Sequence, residues 1–151
     1  AGDIALATDY SLSFMIGLGF FLIGHLFYIA CFSRQWKFQP VRLIPAGLVM
    51  ILSIGLSIAL TPRLGGLTIP VYAYVFIITL MVIFAVFRGA PSPAVWIGAV
   101  LFLLSDAIIA VQKFMEIDVP QESILIMASY YLAQILIGEG SIQDEKASAD
   151  H

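Results

Sequence analysis

The amino-acid sequence predicts an all-α protein, a polytopic bundle of transmembrane helices, on three observations. Of 151 residues, 61% are apolar and only 11% charged, where a soluble domain carries about 45–50% and about 25%. The mean hydropathy is +1.01, which excludes a disordered chain, whose composition is polar and charged. The apolar residues also gather into five runs that approach the roughly 20 residues needed to cross a bilayer. These runs are apolar on all sides, whereas a membrane β-barrel strand has about 10 residues of alternating polarity.

Taken in order, the amino end is Ala1-Gly2-Asp3-Ile4-Ala5-Leu6-Ala7. It has no methionine, no basic region and no long apolar stretch, so it is not a signal peptide. It reads as the last turns of a helix whose beginning is absent; the alternative is a genuine short terminus. The first span, 11–33, is interrupted only by His25, and a cationic loop with Arg34, Lys37 and Arg42 follows. The second span, 43–60, is uncharged and is broken by Thr61-Pro62-Arg63-Leu64-Gly65-Gly66. The third, 68–87, is uncharged and stops at Arg88-Gly89-Ala90-Pro91. The fourth, 94–112, contains Asp106. The fifth, 122–137, starts after Pro120, which a first helical turn tolerates, and carries Tyr130, Tyr131 and Gln134. Residues 1–138 thus form the membrane domain, and 139–151 read as a polar, disordered tail.

Arg34, Lys37, Arg42, Arg88 and Lys146 fall on one side of these spans, Arg63 and Lys113 on the other. The positive-inside rule then places the Arg34 loop and the carboxyl tail in the cytoplasm. The net charge of −3 leaves no basic patch for nucleic acid, and Cys31 alone makes neither a disulfide nor a thiolate metal site. No phosphate-binding glycine loop, H-E-x-x-H or G-x-S-x-G occurs.

Candidate chemistry is confined to the rare polar residues within the spans. An aspartate such as Asp106 inside a span costs roughly 2.5–3.5 kcal/mol to insert, so it faces a cavity or a partner; the plainer reading pairs it with Lys113, two turns on along the same face. His25 lies mid-span with Tyr28 at i+3, either toward a site or as an ordinary interhelical hydrogen bonder. Gln134 with Tyr130 and Tyr131 makes a second polar stripe, although tyrosines also serve as interfacial anchors. Gly2-Asp3 and Ser105-Asp106 each precede an apolar run ending in alanine. As a parallel repeat of four helices, this similarity would bring both carboxyls near one membrane face.

The stretch from Gly98 to Asp106, continued by Ala110-Val111-Gln112-Lys113-Phe114 and Ser129-Tyr130-Tyr131-Leu132-Ala133-Gln134, resembles the carboxyl-terminal signature of the lysoplasmalogenase (YhhN-like) membrane proteins. Gly2-Asp3 and His25-Leu26-Phe27-Tyr28 with Phe32 are similar to that family's central motifs, in the same order up to Ile137. Family members have about eight spans and begin with about three helices not represented here. The resemblance implies hydrolysis of the vinyl ether bond of a lysoplasmalogen to a fatty aldehyde and glycerophosphocholine or glycerophosphoethanolamine, with no cofactor and no metal. It maps the motif aspartates onto Asp3 and Asp106 as the catalytic pair. Enol ether hydrolysis begins with protonation of the β-carbon, so it needs a carboxyl still protonated at neutral pH, a state that apolar surroundings favour, and a second, ionised group. His25, Tyr28, Tyr130, Tyr131 and Gln134 would bind or orient substrate, water or a carboxyl, and Lys113 would hold the lysophospholipid phosphate. The alternative is a proton-coupled transporter or sensor using the same intramembrane carboxylates; a structural subunit is a third reading.

Overall fold

The computed structural model describes the backbone of residues 2–89, 92–115, 117 and 120–149, and the side chains of 12–89, 92–115, 117, 120–121, 123–144 and 146. Five α-helices follow one another: α1 (Gly2–Ser33), α2 (Leu43–Leu64), α3 (Thr68–Val86), α4 (Ala94–Met115) and α5 (Glu122–Ala149). Among the described residues there is no strand, only an isolated antiparallel bridge between Trp36 and Arg88. Leu12–Ser33, Pro40–Val86, Ala94–Met115 and Ser123–Asp144 are long and apolar enough to span a bilayer, the second being the α2–α3 hairpin. The chain is a multi-pass, all-α membrane protein, as its composition predicts.

The helices alternate in direction, and α3 lies at the centre, packed on α1, α2 and α4. Its buried residues Val71, Tyr74, Ile78, Met81, Val82 and Ala85 recur every three or four positions and form one face of the helix. Outward residues of α2, Ile44, Ile51 and Ile58, recur every seven and are exposed, as suits a face turned to lipid. The closest approach is between α4 and α5. A Cβ added to Gly98 would stand 2.8 Å from the Ala133 carbonyl oxygen, and one on Gly140 would stand 2.9 Å from Val95 Cγ2. Small residues there let two backbones meet.

Three sequence expectations are corrected. The backbone of α1 is helical without a break from Gly2 to Ser33, so Asp3 belongs to the same helix as the first span and not to a separate one. Helix α2 runs through Pro62 to Leu64, because Leu60 and Leu64 bury against Val71 and hold the last turn; the break falls at Gly65, whose φ of 49° suits a residue without Cβ. The expected disordered tail is helical as far as Ala149. Gly140, within that expected tail, packs against Val95. One turn on, Asp144 forms a buried ion pair with Arg88 at 3.0 Å and accepts the Ser92 N–H at 3.2 Å.

That pair is part of a knot of loops at one end of the bundle. Arg88 Nε donates to Gln35 at 2.7 Å, and its guanidinium lies over the Phe32 ring. Burial pulls the Arg88 pKa below its ordinary value, and the Asp144 carboxylate opposes this. Arg42 donates to the carbonyls of Val86 and Arg88, closing the carboxyl end of α3. Lys37 N–H donates to the Phe87 carbonyl at 2.8 Å and Gly89 N–H to the Gln35 carbonyl at 2.7 Å.

Candidate active site

Asp106 stands midway along α4 at the meeting of α1, α2, α3 and α4. The phenol of Tyr74 on α3 donates a hydrogen bond to Asp106 Oδ2. Both residues line a cavity of about 350 Å³ whose other walls are almost wholly apolar, among them Phe14, Phe21, Val71 and Ile78. Lys113 lines the same cavity seven residues further along α4, about 10 Å on at the rise of an α-helix. Its ammonium lies 4.3 Å from the Phe14 ring centroid, a cation–π contact, and Phe14 in turn meets Phe114 edge to face. The cavity is therefore lined by a carboxyl and, further along α4, by a cation, with hydrocarbon around them.

His25 on α1 is buried, with 1% of its surface exposed. Its Nδ1 lies 2.5 Å from the Phe21 carbonyl one turn earlier. The ring stands edge-on to Tyr74 at 5.5 Å and to Phe102 at 4.9 Å, the arrangement that aromatic quadrupoles prefer. His25 thus touches the residue that holds Asp106. It lines a second cavity of about 430 Å³ with Phe21, Phe102, Tyr28, Tyr130 and Gln134. There the Tyr28 phenol donates to Gln134 Oε1 at 2.8 Å, joining α1 to α5. Phe21 borders both cavities.

Of the residues singled out in the sequence, Asp106 and Lys113 share the first cavity, and His25, Tyr28, Tyr130 and Gln134 share the second. Tyr131 is exposed on the outer face of α5 and touches the group only through the Tyr130 ring at 5.7 Å. The Asp3 side chain lies outside the described residues. Sequence reasoning missed Tyr74; its one signal was a tyrosine within an uncharged span that also carries Tyr72 and Thr79. Among the described residues, no group of three His, Cys, Asp or Glu side chains is placed to hold a metal.

Comparison with known proteins adds a family to this geometry. The chain is 34% identical over 145 residues to a lysoplasmalogenase of Mycobacterium bovis, covering 92% of this chain and 55% of that protein. It is 35% identical over 155 residues to human lysoplasmalogenase TMEM86A, covering 96% and 62%, and 32% identical over 151 residues to human lysoplasmalogenase TMEM86B, covering 99% and 62%. It therefore spans between 55% and 62% of the length of these relatives. No solved structure matches it. The pattern of the YhhN family matches residues 1–141, a stretch that includes both aspartates and both cavities, and the chain belongs to that family.

Proposed function

We propose that this chain carries the chemistry named for its relatives, hydrolysis of the vinyl ether bond of a lysoplasmalogen within the bilayer. The observation that supports it is Asp106, held by Tyr74 in the wall of an apolar cavity with Lys113 about 10 Å along the same helix. A lysophospholipid has this order of groups: an anionic phosphate, a short glycerol link, a vinyl ether and a hydrocarbon chain. Lys113 meets the phosphate as a point charge, which lays the vinyl ether near Asp106.

The Tyr74 phenol occupies one carboxyl oxygen, so the other presents the proton. Asp106 protonates the β-carbon; the α-carbon and ether oxygen share the resulting cation, and water adds to give a hemiacetal that collapses to fatty aldehyde and the glycerophospho-alcohol. Asp3 enters by its family motif as the ionised carboxylate that stabilises the cation. Tyr28, Tyr130 and Gln134 border the path beyond Phe21, and Tyr131 enters by motif only. The end of the bundle that carries Arg34, Lys37, Arg42, Arg88 and Lys146 is the cytoplasmic one on the positive-inside rule.

The test is aldehyde release from a lysoplasmalogen by the purified protein in lipid–detergent micelles. Asp106→Asn and Asp3→Asn, made separately, are expected to cut turnover by roughly 10²–10⁴-fold, the range for losing a general acid or base. A folded variant that keeps wild-type turnover removes that aspartate from the mechanism. Substrate flux in liposomes without aldehyde would favour a transporter instead.

A further inference from the structure

The carbonyl of Phe21 can only accept a hydrogen bond, so the His25 Nδ1 beside it carries the proton and donates. In the neutral ring this leaves Nε2 as an acceptor. Nε2 is buried and has no hydrogen-bond partner among the described residues. Buried polar atoms in folded proteins are almost always satisfied, by protein or by water.

The cavity beside it supplies what a held water needs, namely room and two to four polar contacts. The Tyr28 phenol uses its proton on Gln134 Oε1, so the Tyr28 oxygen remains an acceptor and the Gln134 amide remains a donor in the same cavity. The other walls are aromatic and glycine, with no charged side chain. An ion would lie there without a counter-charge, whereas a neutral hydroxyl finds both donor and acceptor. The two cavities meet at Phe21, and His25 touches Tyr74, the residue bonded to Asp106.

We propose that the second cavity stores the hydrolytic water, with His25 Nε2 as its anchor, apart from the cavity that takes the lipid; this rests on the hydrolase reading above. The steps balance. Asp106 gives its proton to the β-carbon. The stored water forms a C–O bond to the cationic carbon and passes one proton to the Asp106 carboxylate, while His25 stays neutral. When the hemiacetal collapses, Asp106 protonates the glycerol oxygen as its C–O bond breaks and takes the hemiacetal O–H proton in return. Both side chains end as they began.

Nitrogen-15 NMR of histidine-labelled protein in micelles tests this directly, because the chain has only His25 and His151. The expected spectrum shows His25 as the Nδ1–H tautomer with magnetisation transfer from water at Nε2. Kinetically, His25→Phe and the polar replacement His25→Gln are expected to lower kcat by about tenfold or more with KM little changed, since the lipid cavity is untouched. A wild-type chain that releases no aldehyde defeats the hydrolase reading, whatever the spectrum shows. A chain that does release it defeats the present inference if it lacks the water signal at Nε2, or if a folded His25 variant keeps its kcat.

Discussion

Replacing Asp144 by alanine tests whether the helical carboxyl end of α5 is part of the fold. Asp144 and Arg88 lie 3.0 Å apart, with side chains 1% and 7% exposed. An exposed pair would contribute about 0–1 kcal/mol, but removing one partner of a buried pair costs about 3–5 kcal/mol, because the other charge is left stranded. Arg88 retains Gln35 and the Phe32 ring, so the loss falls at the lower end of that range. The Ser92 N–H loses its acceptor as well, about 1 kcal/mol more. Asp144→Ala is therefore expected to destabilise the protein by about 3–4 kcal/mol. Asp144→Asn recovers only the share belonging to Ser92. A double variant, Arg88→Met with Asp144→Leu, returns to within about 1–2 kcal/mol of wild type, since neither charge then remains buried. The assay is reversible unfolding in mixed micelles with increasing SDS, followed by helical circular dichroism and tryptophan fluorescence. Trp36 packs on Phe84 and Phe87 beside Arg88 and reports that end of the bundle. If Asp144→Ala and Asp144→Asn both unfold within about 1 kcal/mol of wild type, the pair is an exposed one in effect and the reasoning from burial is refuted.

Tyr74→Phe removes the hydrogen bond to Asp106 while keeping the ring against His25; kcat for aldehyde release is expected to fall about tenfold, equivalent to about 1.4 kcal/mol, with KM unchanged. Gly98→Ala places a methyl 2.8 Å from the Ala133 carbonyl and 3.0 Å from Ile137 and Leu136, so unfolding in micelles should show a loss of about 1–3 kcal/mol. Gly138→Ala, with nothing within 4 Å of the added atom, is the matched control and should be neutral or gain up to about 1 kcal/mol of helix propensity.

The spans were legible because each is a continuous apolar run, and no distant contact is needed to read one. The ends of the helices were less so. Pro62 and Gly140 are helix breakers by local rule, yet each sits inside a helix packed on another helix, against Val71 of α3 for the turn around Pro62 and Val95 of α4 for Gly140. Asp106 announced itself as a carboxyl in a hydrophobic span, and His25, Tyr28 and Gln134 as polar groups at helical spacing. That these fall into two cavities separated by Phe21 depends on how α1 packs on α4 and α5, which periodicity along one helix does not encode. Tyr74 was hidden for the same reason: its role lies in the oxygen it reaches on α4, 32 residues away.

The Trp36–Arg88 bridge has a mechanical consequence. Its two backbone hydrogen bonds, with the Arg42 side chain across the end of α3, join the α1–α2 connection and the α3–α4 connection into one unit. Gly89 leaves room for Lys37 in that clasp, where a Cβ would stand 2.8 Å from its neighbour. Each of these bonds pairs loop N–H and carbonyl groups that would otherwise need water, which lowers the cost of placing this end at the bilayer interface. Any parting of α1 from α3 must therefore begin away from this end, because the clasp ties the carboxyl ends of both helices together.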